Sequence, residues 1–75
     1  MIRKTVPYKE ENYKDIFMID CPICKKFNYS VKVLIVIPKN IDKARVYCPY
    51  NHSFIVNIRN KHNNRLSIEI EDEGR

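Results

Sequence analysis

The chain has 75 residues, three cysteines, one glycine and a net charge of +5. That length makes one domain, which buries only about 60% of the surface its unfolded form exposes, so a staple beyond the apolar core is expected. An odd cysteine count argues against the paired disulfides of small secreted scaffolds, a single glycine excludes phosphate-cradling glycine-rich loops, and the longest apolar run, Val33 to Ile37, is far short of the roughly 20 residues of a membrane span.

Charge is unevenly placed. Residues 1–20 balance four basic against four acidic side chains, residues 21–65 carry nine basic residues against Asp42 alone, and residues 66–75 are net negative. Met1 to Tyr8 has neither an apolar signal core nor a small-residue cleavage site. A soluble, cytoplasmic protein without membrane contact is expected. The wealth of β-branched residues, with one alanine, favours strands over helices.

In chain order, residues 1–15 read as a polar lead-in, in which Tyr8 to Asp15 has the composition for one or two helical turns. Ile16 to Ile19 is a short apolar run leading into Cys21-Pro22-Ile23-Cys24. The clearest strand is Tyr29 to Ile37, with Tyr29, Val31, Val33, Ile35 and Ile37 on one face. Pro38 to Asp42 reads as a turn. Ala44 to Cys48 is the next strand, and Ser53 to Asn60 alternates with Phe54, Val56 and Ile58 on one side. Lys61-His62-Asn63-Asn64 is expected to be a hairpin turn, because asparagine accepts positive φ better than other non-glycine residues. Arg65 to Glu71 closes the set with Leu66, Ile68 and Ile70 inward. The fold class is a small mainly-β domain over residues 16–72 with a three- to four-stranded antiparallel sheet and two metal knuckles, followed by an acidic tail at 73–75.

The chemistry lies in two related turns, Cys21-Pro22-Ile23-Cys24 and Cys48-Pro49-Tyr50-Asn51-His52. Zinc takes four ligands in a tetrahedron, with Zn–S about 2.3 Å and Zn–N about 2.0–2.1 Å. A Cys-x-x-Cys turn aims two sulfurs at one point, and proline after the first cysteine pre-sets the turn. The 23 residues between Cys24 and Cys48 suffice for a strand, a turn and a returning strand. One structural Zn²⁺ on Cys21, Cys24, Cys48 and His52 is the expected cofactor. The alternative for the first pair is a redox dithiol, a motif of strand-to-helix junctions, whereas Lys25 to Tyr29 is expected to run into a strand. For Cys48 the alternative is a plain buried thiol. His62 is expected to be an exposed turn residue.

These two Cys-Pro knuckles resemble the zinc-ribbon superfamily, whose pattern places Cys-Pro-x-Cys turns at the ends of a β-hairpin with a third strand alongside. Residues 16 to 72 can be laid over that plan, with Asn51 standing where a regular second knuckle has its second cysteine and His52 following one residue later. The resemblance implies work in transcription or translation assemblies. Four protein ligands leave no open coordination position, and no zinc-site glutamate, Ser–His–Asp set or P-loop is present. The chain is therefore expected not to be an enzyme.

The basic middle suggests a partner. If the three central strands pair, Lys32, Arg45, Tyr47 and Arg59 share one sheet face, with Lys25, Lys26, Lys43, Lys61 and Arg65 at its margins and Tyr50 beside the second knuckle. Cations contact phosphates and tyrosines stack on unpaired bases, so RNA, DNA or a nucleoprotein complex is one expected partner. The other is a protein complex docked through Leu34, Val36 and Ile55 on the same face, in which case the lysines are a solvated surface that discourages sheet aggregation.

Overall fold

The structure, a computed structural model, describes residues 2–72. The expected mainly-β architecture is what the chain adopts, in two antiparallel sheets. Seven strands and one short helix run in the order β1 (Ile2–Pro7), β2 (Lys9–Glu11), β3 (Lys14–Asp20), α1 (Pro22–Lys26), β4 (Lys32–Pro38), β5 (Lys43–Tyr47), β6 (Ser53–His62) and β7 (Arg65–Asp72). One sheet has the order β1-β7-β6-β5, the other β2-β3-β4.

The period-2 segments fold as their patterns dictate. Val33, Ile35 and Ile37 of β4, Phe54 and Val56 of β6, and Leu66, Ile68 and Ile70 of β7 are all buried. With Val6 of β1 and Phe17 and Ile19 of β3 they form one continuous core between the inner faces of both sheets. Each fully buried aliphatic or aromatic side chain contributes about 1.5–3 kcal/mol of transfer free energy, which offsets the backbone entropy lost in ordering the strands.

Residues 1–15 differ from the expected lead-in. β1 pairs with β7, from Ile2 opposite Ile70 to Pro7 opposite Arg65. The stretch read as helical turns is a hairpin, β2–β3, in which Asn12 and Tyr13 take φ of 50° and 62°. Two successive positive φ values make the tight two-residue turn whose twist suits paired strands. Asn63 and Asn64 repeat that geometry between β6 and β7, with φ of 49° and 64°. The strand expected from Tyr29 begins at Lys32, because the first knuckle continues through Tyr29. The acidic residues 73–75 lie outside the described residues. Glu69 and Glu71 belong to β7 itself.

β4 and β5 were expected as neighbours in one sheet, but they hydrogen-bond into different sheets. Each knuckle is thus the tip of its own hairpin. The first joins β3 to β4, and the second joins β5 to β6. No helix among the described residues is long and apolar enough to cross a membrane.

Candidate metal centre

The first knuckle is built by a five-residue helix. Cys21 is its N-cap, in extended conformation, and the Cys24 N–H points at the Cys21 sulfur, 3.5 Å away. Pro22 occupies the first helical position, where its missing N–H is not needed. The helix stops at once. The N–H groups of Phe27 and Tyr29 both donate to the Cys24 carbonyl at 3.0 Å, and Asn28 takes the left-handed conformation, φ 64°, that closes helix C-termini. Cys21 N–H donates to Val31 O at 2.9 Å and locks the loop to β4.

The second knuckle is a tighter turn. Asn51 N–H donates to Cys48 O at 2.9 Å and Cys48 N–H to His52 O at 3.0 Å. Asn51 has φ of 64°. Beyond this left-handed residue the ring nitrogen of His52 meets the sulfurs of Cys24 and Cys48.

The two tips converge. Cys21, Cys24, Cys48 and His52 place one sulfur or ring nitrogen each within 4.8 Å of one another. Cys24 Sγ is 3.7 Å from Cys48 Sγ, and His52 Nδ1 is 3.3 Å from each of them. A tetrahedron with Zn–S of about 2.3 Å has S···S edges of about 3.8 Å and S···N edges of about 3.6 Å. The three edges among Cys24, Cys48 and His52 are close to these, and the four side chains could hold one metal ion, with Nδ1 as the imidazole donor. The three cysteines are buried and His52 is partly so.

The thiols of Cys24 and Cys48 are shifted in opposite directions. Burial, then the neighbouring Cys21 and Cys48 thiols, push the Cys24 thiol up to about 12. At Cys48 burial also pushes upward, but backbone hydrogen bonds involving His52 and Tyr50 and the adjacent thiols outweigh it, and the thiol falls below its ordinary value. Tyr50 N–H reaches Cys48 Sγ at 3.3 Å.

The expectation that Lys25 to Tyr29 runs into a strand is corrected, since α1 follows Cys21 directly and the knuckle sits at a strand-to-helix junction. What separates the site from a redox dithiol is instead the arrival of Cys48 and His52 from the other sheet.

The basic residues do not form the single face expected of them. Lys32 lies in the three-stranded sheet and pairs with Asp20 at 2.9 Å. Lys43, Arg45 and Tyr47 line the exposed face of β5 in the other sheet. Arg59 Nε is 2.7 Å from Glu69 Oε1, and Arg3 approaches the other oxygen at 3.9 Å. A bulge between Ile58 and Asn60 shifts the alternation of β6. Lys61 thereby reaches the buried carboxylate of Asp15, an ionic contact in which neither oxygen has a hydrogen bond of regular geometry. Arg65 is exposed opposite His62, itself exposed, at the end remote from the metal site. Lys25, Lys26 and Tyr50 are exposed beside the metal site.

Two residues passed over in the sequence join Tyr50 there. Phe27 and Tyr29 are 64% and 66% exposed, Tyr50 69%, and all three line one cleft with Cys24 and His52. The run Lys25-Lys26-Phe27-Asn28-Tyr29 carried the signal, but the aromatics were read as part of a strand. No protein-family model, curated protein or solved structure matches this chain.

Proposed function

We propose that this chain is a non-catalytic zinc-ribbon module that binds nucleic acid, as an accessory or regulatory component in transcription or translation. The four side chains would hold one structural Zn²⁺ in a closed coordination sphere, which offers no position for an activated water. The observation that carries the binding reading is the company the site keeps, with Lys25, Lys26, Phe27, Tyr29 and Tyr50 exposed around it. Cations for phosphates interleaved with aromatics for bases are the footprint of such modules.

Titration of the zinc-loaded protein with short RNA and DNA, single- and double-stranded, at two salt concentrations tests this. Affinity should fall steeply with salt. Lys25→Gln should reduce the salt slope by about one unit, whereas Arg59→Gln, whose guanidinium is engaged with Glu69, should leave it unchanged. No binding at low salt overturns the reading.

A second reading, a protein-interaction adaptor, is favoured by one feature. On the outer face of the three-stranded sheet Ile16 lies opposite Val36 and Met18 opposite Leu34, and Met18, Leu34 and Val36 are exposed. Ile55, expected to belong to that anchor, lies half-buried in the other sheet. Docking through the apolar row would be nearly insensitive to salt and would be lost in Leu34→Glu.

A further inference from the structure

The aromatic cleft has three properties that bear on what it takes. Its volume is about 400 Å³, within the range of small-ligand pockets. Each ring-bearing residue is tied by its backbone N–H to a metal-ligating cysteine, Phe27 and Tyr29 to the Cys24 carbonyl and Tyr50 to the Cys48 sulfur. The backbone that carries each ring is thus held by the same turns that a metal would close, while the side chains are largely exposed. Such preorganisation lowers the ordering cost of binding a flat ligand.

The cleft also continues into charge. Tyr29 lines both it and a neighbouring groove with Lys25, Asn28 and Ser30. Lys25 in turn lines that groove and a third concavity that includes Lys26 and Lys4. Asp20, which lines the second and third of these concavities, is paired with Lys32. An aromatic cleft opening onto a line of lysines complements a planar ring attached to a polyanion.

We propose that this cleft is a stacking site for an unpaired base of single-stranded nucleic acid, with the adjoining phosphates running along Lys25, Lys26 and Lys4. The assignment rests on the nucleic-acid reading above and narrows it to a strand type and a place. A base inside a duplex is stacked on its neighbours and cannot enter, so the site discriminates against double strands. Stacking is tolerant of base identity, because every base has a π face.

The test uses the full zinc-loaded chain and labelled ten-nucleotide RNA and DNA single strands, with matching duplexes. Phe27→Leu, Tyr29→Leu and Tyr50→Leu keep apolar bulk and remove the π face, and zinc content and thermal melting verify that each variant is folded. Each should weaken single-strand binding about 5- to 150-fold and leave duplex binding unchanged, while Tyr29→Phe retains affinity. The chain has five tyrosines and no tryptophan, and Tyr29 and Tyr50 both line the cleft, so quenching of tyrosine emission by single strands, reduced in Tyr29→Leu and in Tyr50→Leu, reports stacking. Comparison of the ribose and deoxyribose strands distinguishes RNA from DNA as the source of the base. If the leucine variants bind single strands as the parent does, the cleft assignment falls and the broader reading stands. If the parent binds no nucleic acid at low salt, both fall.

Discussion

The two ends of this molecule fasten the same pair of sheets by opposite means. At one end the tips of the β3–β4 and β5–β6 hairpins bring three cysteines and a histidine together. At the other, about 20 Å along β3, Asp15 of the three-stranded sheet meets Lys61 of the four-stranded one. The first end gathers three thiols and an imidazole that could hold a cation. The second encloses a carboxylate whose cation is supplied by the chain. Coordination is worth far more than an ion pair, for which the loss of solvation largely cancels the attraction. The metal end should therefore dominate stability, and the far end should mainly fix how the sheets align.

The largest expected effect is on the metal end. Structural zinc contributes about 10–16 kcal/mol of folding free energy in small peptides. Cys24→Ser or Cys48→Ser should abolish the cooperative melt seen by circular dichroism and the bound zinc measured by elemental analysis. Retention of both in Cys48→Ser would refute the four-ligand site and leave the core as the main fastening.

A smaller effect is expected at the far end. Asp15 is fully buried, whereas Lys61 is about one-third exposed in its side chain. Lys61→Met strands the carboxylate and should cost about 3 kcal/mol in urea unfolding of the zinc-loaded protein. The double variant Asp15→Leu, Lys61→Met should recover most of that loss, since an apolar pair has no charge to desolvate. A cost of Lys61→Met below the error of the measurement would mean that water reaches Asp15, and the contrast between the ends would sharpen further.

The smallest effect concerns the rim of the far end, where Lys39 pairs with Glu10 and Tyr8 donates to the same carboxylate. The bond from Lys39, then that from Tyr8, hold the Glu10 carboxyl below its ordinary value of 4.5. A depressed folded-state value means that the contribution is present above the unfolded value and fades as pH falls through the folded one. The unfolding midpoint of the parent, with zinc in excess, should exceed that of Glu10→Gln slightly at neutral pH, and the gap should close on acidification. A gap independent of pH would show that the ion pair contributes nothing.

The contrast between the ends also separates what could be read in advance from what could not. The cluster of Cys21, Cys24, Cys48 and His52 was legible because metal-binding chemistry favours short, local spacings such as Cys21-x-x-Cys24. Strands β4 to β7 were legible because Val33 to Ile37 and Leu66 to Ile70 alternate in the simplest period. The Asp15–Lys61 pair left no such trace. Asp15 stands among lysines and glutamates typical of a surface, and Lys61 reaches it only because of a bulge two residues earlier. β1 was missed for a related reason, since Arg3 and Lys4 mask its one buried residue, Val6, and the partner of that residue, Leu66, lies sixty positions along the chain. Division into two sheets depends on long-range pairing, to which local periodicity is blind.

That remote partnership orders events in time. During synthesis at about 5–20 residues per second, the β2–β3–β4 meander with its own half of the ligand set can assemble soon after residue 38 emerges. β1 must wait until residue 70 is made before it finds β7. Contacts of such long sequence separation slow folding, so the nascent chain passes through an interval in which Ile2 to Pro7 has no strand to join. A ribosome stalled before residue 65 would carry the first knuckle complete and the four-stranded sheet unable to close.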